Sequence, residues 1–508
     1  MKKMNLAALL SFLFSALLLP DIVRLPIAYL LPAVAYLLLF NFFVMYLVCH
    51  IRKLAVYTIP PIFFISAITS YFYGVYRIKI DKELLFLLLE TTTGEAGEFI
   101  TTELIIFGAI ALLLTSILTY LLKHSSGKFN GKVVAILFIV LLPTTFLLGK
   151  YKKNPHVRIV RPITATKYIF PYSVITCIAE FSGQYFENLT QGERESSAKL
   201  PSIFIPQKKP LQVIVVIGES ARADRFQING YPRETTPNLM KEKNLINFGG
   251  IQSFAAYTRL SVPAMITPAT SQHPESTMSS YLGLFKKHGF KTTWISANDR
   301  FNSNDTPTTK AIGDVDNSIF RNSLGNVSYG EFYDAMLLTP LQETLVANAQ
   351  HNQAITLHTR GSHANYAARY PEEFKKFLPD AYDEKMQPQQ VSNAYDNSIL
   401  ATDSFIASII ELVRDKNAVV IYSSDHGESL GEEGRFGHGN ALAPEQRNVP
   451  FFIWYSDDYR KLNETTVDTL KKHVGSSLSH DVFFPWILNL GGILLPDTNQ
   501  PVLLSVTK

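Results

Sequence analysis

The sequence predicts a bundle of five transmembrane helices followed by an α/β domain with a mainly parallel sheet. Apolar stretches crowd residues 1–150 of the 508. From residue 206 onward, short β-rich runs alternate with helical ones, the mark of strands joined by crossover helices. A third observation points to chemistry. Two strand-like runs, VIVVIGES and VVIYSSDHGES, end in metal-binding side chains: Glu219 in the first, Asp425 and His426 in the second.

In chain order, the apolar runs cover 6–19, 25–48, 55–71, 104–122 and 133–148, most of them near the ~20 residues a helix needs to span hydrocarbon. The first and last are short, which tilting or a thinned bilayer accommodates. Lys2 and Lys3 ahead of the first run suit a signal peptide, but no small-residue cleavage site follows and four more apolar runs do. In a five-span arrangement Lys2 and Lys3, then His50, Arg52 and Lys53, then Lys123, Lys128 and Lys132 share one side. That bias puts the N-terminus inside and the long C-terminal part outside, although Lys150, Lys152 and Lys153 run against it.

Residues 76–102, with the run ETTTGEAGEF, form a polar insertion between the third and fourth spans. After the last span come KYKKNPHVRIVRP, an aromatic and apolar stretch over 168–186 and a polar stretch over 188–202. Tyrosine and phenylalanine suit the headgroup layer, so this reads as an interfacial segment and linker. The expected division is 1–150 in the membrane, 151–205 bridging and 206–508 catalytic.

Within the last part the expected strands are 211–217, 292–296, 354–357, 418–423 and 451–454, with helices over 279–288 and 393–413. Polar residues follow the strands: Glu219, then Asn298, then His358 and His363, then Asp425 and His426. Ligands of open α/β sheets bind beyond the carboxyl ends of the strands, so these side chains are expected on one rim.

Composition narrows the function. A net charge of +4 and a pI of 8.7 are mild, and no basic tract interleaved with aromatics occurs in the soluble part, which argues against nucleic acid. Cys49 and Cys177 are the only cysteines, too few for a cysteine zinc cluster. Charges inside the apolar runs are scarce, which argues against a transporter.

Carboxylate and imidazole ligands suit Zn²⁺, with another divalent cation as the alternative. A bound metal lowers the pKa of a coordinated hydroxyl, and so activates a serine or threonine nucleophile. Thr258, Ser261, Ser253 and Ser220 compete for that role. The segment QSFAAYTRLSVPAMIT enters a helix whose first turn is expected to hold Pro263. Free N–H groups at such a terminus favour a phosphate. Plainer readings stand beside these. His358 suits a satisfied core histidine, Asn298 a headgroup contact or a turn cap, and His480 with Asp481 a helix start. Glu428 and Glu432 suit solvated or turn-stabilising positions.

GESARADRFQINGYPRETTPNL, YTRLSVPAM, LHTRGSHANYAARYPEEF and SDHGESLGEEGRFGHGNALAPEQRNVPFFIWY together resemble the membrane-bound phosphoethanolamine transferases of Gram-negative bacteria. Their catalytic domains are alkaline-phosphatase-like, or sulfatase-like, and the group includes the lipid A modifying and mobile colistin-resistance transferases. The resemblance covers 211–490 and agrees with five spans. It implies Thr258 as nucleophile and metal-bound group, Glu219, Asp425 and His426 as metal ligands, and His363 and His438 as phosphate-binding, proton-transferring histidines, with Asn298 at the headgroup. It also implies one or more Zn²⁺ and a phosphatidylethanolamine donor. The acceptor would be the lipid A, core or Kdo of lipopolysaccharide. The expected protein is a monomer in the bacterial inner membrane with its catalytic domain in the periplasm.

The sequence departs from the family where Phe254 and Ala264 replace a disulfide bracketing the nucleophile. Ala256 replaces a second threonine. A lysine expected shortly after Asn298 is missing, with Arg300 and Lys310 as stand-ins. Two other readings remain: a phosphoglycerol or phosphoethanolamine transferase acting on periplasmic glucans, and a non-catalytic membrane sensor or assembly protein. The second is disfavoured because every ligand and the nucleophile are retained. A formylglycine sulfatase needs a cysteine or serine motif that is absent.

Overall fold

The computed structural model describes residues 2–17, 27–76, 85, 101–150, 171–190, 194–298, 307–313, 315–320, 332–381 and 387–496. The chain divides into two compact units, Met1–Gln191 and Gly192–Lys508. The expected insertion 76–102, residues 151–170 of the bridging segment and Arg300 lie largely or wholly outside the described residues.

Among the described residues the first unit is built of helices: α1 (Lys3–Ala16), α2 (Ile27–His50), α3 (Arg52–Tyr76), α4 (Thr102–Lys123), α5 (Gly131–Lys150) and α6 (Tyr172–Thr190). The five apolar runs fall on α1 to α5. Among the described residues two helical stretches, Arg52–Phe72 and Thr102–Lys123, are long and apolar enough to cross a membrane. Lys3–Ala16, Val34–His50 and Gly131–Leu141 are shorter. Inside this unit Leu6, Leu10 and Phe14 of α1 pack with Leu37, Met45 and Phe63, and the buried amide of Asn41 donates to Ser15 Oγ at 3.0 Å.

The second unit is built on a seven-stranded sheet: β1 (Leu211–Gly218), β2 (Leu245–Gln252), β3 (Lys291–Ser296), β4 (Asn317–Phe320), β5 (Gln353–His358), β6 (Asn417–Ser424) and β7 (Asn448–Tyr455). The order is β2-β7-β6-β1-β5-β3-β4. β1 pairs in parallel with β5 and β6, and β3 with β4 and β5, while β7 runs antiparallel to β2 and β6.

Every residue of β1 and β6 is buried, as central strands covered on both faces must be. Successive side chains alternate between two cores. Val213, Val215 and Ile217 join Val419 and Ile421 on one face; Ile214 and Val216 join Val420 and Tyr422 on the other. Helices α7 (Thr258–Ile266) and α9 (Phe483–Leu490) cover the first face, and α8 (Pro388–Val413) the second. Burying each valine or isoleucine contributes about 1.5–3 kcal/mol before entropy is charged against it.

The expected strands are all present, one to three residues longer at their ends. Two strands of this sheet are new, β2 and β4, both at its edges. β2 carries Gly249 and Gly250 in a half-exposed pattern, and β4 has four residues, so neither shows a strong apolar alternation. The expected helices 279–288 and 393–413 appear as Leu282–Lys287 and α8. Pro263 is not in a first turn: α7 begins five residues earlier, at Thr258, because Ser261 N already donates to Tyr257 O at 3.1 Å.

Candidate active site

Glu219, Asp425 and His426 come together because β1 and β6 are parallel neighbours in register, Gly218 opposite Ser424. The next residues therefore leave the sheet side by side at its carboxyl rim. Asp425 N donates to Gly218 O at 3.0 Å. Asp425 Oδ1 accepts from Ser220 N at 3.1 Å and from His426 N at 2.7 Å. Ser220 has φ 58°, a left-handed conformation that costs a residue with a Cβ about 1–2 kcal/mol.

Thr258 is the first residue of α7, entered from the extended Tyr257. Its Oγ lies 3.0 Å from Glu219 Oε2, 3.2 Å from Oε1 and 3.2 Å from His426 Nε2. The hydroxyl sits at a helix N-terminus, where free N–H groups and the dipole favour negative charge. The other hydroxyl candidates are engaged: Ser261 Oγ donates to Asp425 O at 2.6 Å, Ser253 Oγ to Ala255 O at 2.7 Å and Ser220 Oγ to Glu219 Oε1 at 2.8 Å.

The donor set suits a metal ion. Glu219, Asp425 and His426 are buried and offer one ligand atom each within 4.8 Å of one another. Asp425 Oδ2 is buried without a hydrogen-bond partner among the described residues. His426 Nδ1 lies 2.9 Å from Gly427 O. Donating there directs the lone pair of Nε2 to the side where Glu219 Oε1 and Asp425 Oδ2 stand at 3.3 and 3.5 Å. Electrostatics agree. Burial, then the neighbouring Glu219, raises the Asp425 pKa. Burial disfavours a charged His426, but Asp425 and Glu219 overcome it and push its pKa up. Two buried carboxylates thus call for positive charge at this point, which a divalent cation would supply.

The loop after β5 closes on the same rim. Ser362 N donates to Glu219 O at 2.9 Å, and Gly361, at φ +42°, lies so close that an added Cβ would sit 2.6 Å from Glu219 O. His363 follows, its ring centroid 5.6 Å from that of His438, which is 4.3 Å from that of His426. His363 Nδ1 has no hydrogen-bond partner among the described residues, and desolvation lowers its pKa to about 3, so the ring is neutral.

Asn298 Nδ2 lies 3.5 Å from His358 Nδ1. Lys310 lies in the helix Pro307–Ile312. Phe254 packs on the His480 ring at 5.7 Å, and Ala264 is buried. Ala256 O accepts from Gly439 N at 2.9 Å.

Two of the plain readings change, those of Glu428 and His358, and two hold. Glu428 is fully buried, with Oε1 3.0 Å from His438 Nδ1; a carboxylate two residues after the Asp-His pair was the available signal. Glu432 does stabilise a turn, accepting from Leu430 N and Arg222 Nη1 at 2.6 Å each. His358 is buried but not satisfied, since Nε2 finds no partner among the described residues. His480 does start a short helical turn, and beyond that it bridges the site's supports: Nδ1 accepts from Phe254 N at 3.3 Å and Nε2 lies 3.1 Å from Ser423 Oγ.

Comparison with known proteins fits both units. The family profile described as Phosphoethanolamine transferase EptA/EptB matches residues 36–179, and the one described as Sulfatase matches 212–493. The chain is 30% identical over 468 residues to phosphatidylethanolamine transferase Mcr-1 of Escherichia coli, covering 85% of this chain and 84% of that one. It is 35% identical over 302 residues to Kdo(2)-lipid A phosphoethanolamine 7''-transferase of Escherichia coli K12, covering 56% and 52%.

Among solved structures, the integral membrane lipooligosaccharide phosphoethanolamine transferase A of Neisseria meningitidis matches with TM-score 0.81 at 24% identity, over 97% of this chain and 96% of that one. The periplasmic domain of Escherichia coli EptC in complex with Zn matches with TM-score 0.51 at 24% identity, over 58% and 86%. A membrane-family profile on the helical unit, a sulfatase profile on the α/β unit and a full-length relative at 30% identity lead to one conclusion: the chain belongs to the phosphoethanolamine transferase family.

Proposed function

We propose that this enzyme transfers phosphoethanolamine from phosphatidylethanolamine to the lipid A, core or Kdo of lipopolysaccharide through a covalent ester on Thr258. The observation that carries the reading is the Thr258 hydroxyl 3.0 Å from Glu219 Oε2 and 3.2 Å from His426 Nε2, at the start of a helix. Glu219, Asp425, His426 and Thr258 would hold Zn²⁺, consistent with the zinc-bound EptC relative. When bound, the ion stabilises negative charge on the threonine oxygen and on the phosphoryl group.

Thr258 Oγ gives its proton to solvent and attacks phosphorus, and the bond from phosphorus to the glycerol oxygen breaks. Diacylglycerol leaves once that oxygen is protonated, and phosphoethanolamine stays on Thr258. The N–H groups of the first turn of α7 and the rings of His363 and His438 face the transferred group. His438 supplies the leaving group's proton, then takes one from the incoming acceptor hydroxyl or phosphate, while the neutral His363 ring donates its N–H to a phosphoryl oxygen. Attack by that acceptor breaks the bond from phosphorus to Thr258 Oγ, which takes back a proton from solvent. Two in-line displacements leave the configuration at phosphorus unchanged.

The same reading has five spans in the inner membrane over 1–150, a bridge over 151–205 and a periplasmic catalytic domain over 206–508, working as a monomer. The donor lipid fits a catalytic unit tethered to the bilayer, and the acceptor class fits the substrate named for the Kdo(2)-lipid A relative. Mass spectrometry of envelope lipids and glycans from cells making the intact protein or its Glu219→Ala variant tests it. Added phosphoethanolamine on lipopolysaccharide in the first only is expected; identical lipopolysaccharide in both would overturn the acceptor.

A further inference from the structure

We infer that Tyr395 is a positioning residue that fixes Glu219 for metal binding, and that α8 braces both loops of the active site from one face. The inference rests on the proposed metal site. Tyr395 Oη donates to Ser220 O at 2.6 Å and accepts from Arg222 N at 2.9 Å. One phenol therefore spans the turn that follows Glu219 and satisfies two buried backbone groups. The turn needs it, because Ser220 holds a left-handed φ of 58° without being glycine, a conformation that persists only where the surroundings over-determine it.

The brace is rigid. Tyr395 is 0% exposed, its ring meets Tyr366 edge-on at 5.0 Å, and burial raises its pKa, which keeps the hydroxyl protonated and able to donate. One helical turn on, at i+3 and so on the same face, Ser398 Oγ and Ser362 Oγ share a hydrogen bond at 2.8 Å. Ser362 N in turn donates to Glu219 O at 2.9 Å, and His363 follows directly. α8 thus holds the Glu219 turn through Tyr395 and the His363 loop through Ser398, although neither side chain touches the metal-binding atoms.

Removing the phenolic hydroxyl leaves the Ser220 carbonyl and the Arg222 amide unpaired in a buried site, and frees the turn to relax. Groups that orient a ligand in this way change metal affinity by about 10–100-fold when lost. The test uses the full-length protein in detergent, with zinc affinity read by competition against a chromophoric chelator and turnover measured at saturating zinc. Tyr395→Phe is expected to bind zinc about 10-fold or more weakly, with kcat reduced and KM for the lipid little changed.

Thr402→Val serves as the stability control: it removes a buried hydroxyl in the same helix, bonded at 3.1 Å to Ser398 O, and is expected to unfold more easily with zinc affinity unchanged. Ser398→Ala, a smaller change, is expected to lower kcat through the His363 loop with zinc affinity near wild type, and it reads the brace if Tyr395→Phe does not fold. Wild-type zinc affinity and kcat in Tyr395→Phe would overturn the inference, as would wild-type kcat in Ser398→Ala should Tyr395→Phe not fold. Failure of the unaltered protein to bind zinc would instead overturn the metal site itself.

Discussion

His480 makes the catalytic unit acid-labile, and its replacement by glutamine should remove a calculable part of that lability. The ring is 1% exposed and wedged between Phe254 N and Ser423 Oγ. Desolvation lowers its pKa from 6.5 to about 3, so the fold accepts only the neutral form. The unfolded chain binds the proton first. Stability is therefore complete above pH 6.5 and falls as the pH drops toward 3, by about 1.4 kcal/mol per unit and about 5 kcal/mol in all. At pH 5 the loss is about 2 kcal/mol. His358, lowered to about 4 by burial, adds to it, while Asp403, raised to about 6 by burial, works in the opposite sense, gaining stability as the pH falls.

The difference between wild type and His480→Gln isolates one residue from these others. Trp294, Trp454 and Trp486 are the three tryptophans of the chain and all lie in the second unit, so tryptophan fluorescence in the full-length protein reports on that unit alone. Denaturation of both proteins between pH 7.5 and pH 5 should show the variant losing about 2 kcal/mol less than wild type. Parallel losses across that range would refute the account of His480.

Three further outcomes are expected. Gly361→Ala places a Cβ 2.6 Å from Glu219 O and 3.0 Å from Glu219 N at a positive φ. It should cost about 1–3 kcal/mol of stability and weaken zinc binding, measured by denaturation and chelator competition. Glu428→Gln keeps the shape beside His438 but removes a buried charge, and should lower kcat about 10-fold without lowering the melting temperature. Zinc should raise the melting temperature of the wild type through preferential binding to the folded state, and Glu219→Ala should abolish both that rise and turnover.

The parts of the fold that could be read from sequence were those where one physical demand dominates. VIVVI and AVVIY can only be central strands, since a run apolar on both faces must be covered on both faces, and parallel neighbours bring their trailing residues to one rim. Glu219, Asp425 and His426 follow from that alone. The choice among Thr258, Ser261, Ser253 and Ser220 did not, because it depends on where α7 begins. Pro263 suggested a start five residues too late. The edge strands β2 and β4 escaped notice because glycine and short length dilute their pattern. Glu428, His480 and Tyr395 were hidden for another reason: their roles arise from contacts 10 to 226 residues away, and no local spacing encodes those.

The central claim is that Thr258 carries the phosphoethanolamine group in transit. The purified full-length protein, loaded with zinc and mixed with phosphatidylethanolamine in the absence of acceptor, should yield on digestion a peptide with phosphoethanolamine esterified to Thr258, and the label should disappear when acceptor lipopolysaccharide is added. Thr258→Ala should yield none. A wild-type enzyme that releases diacylglycerol and modifies acceptor while Thr258 stays unlabelled, or that labels another residue, would contradict the account.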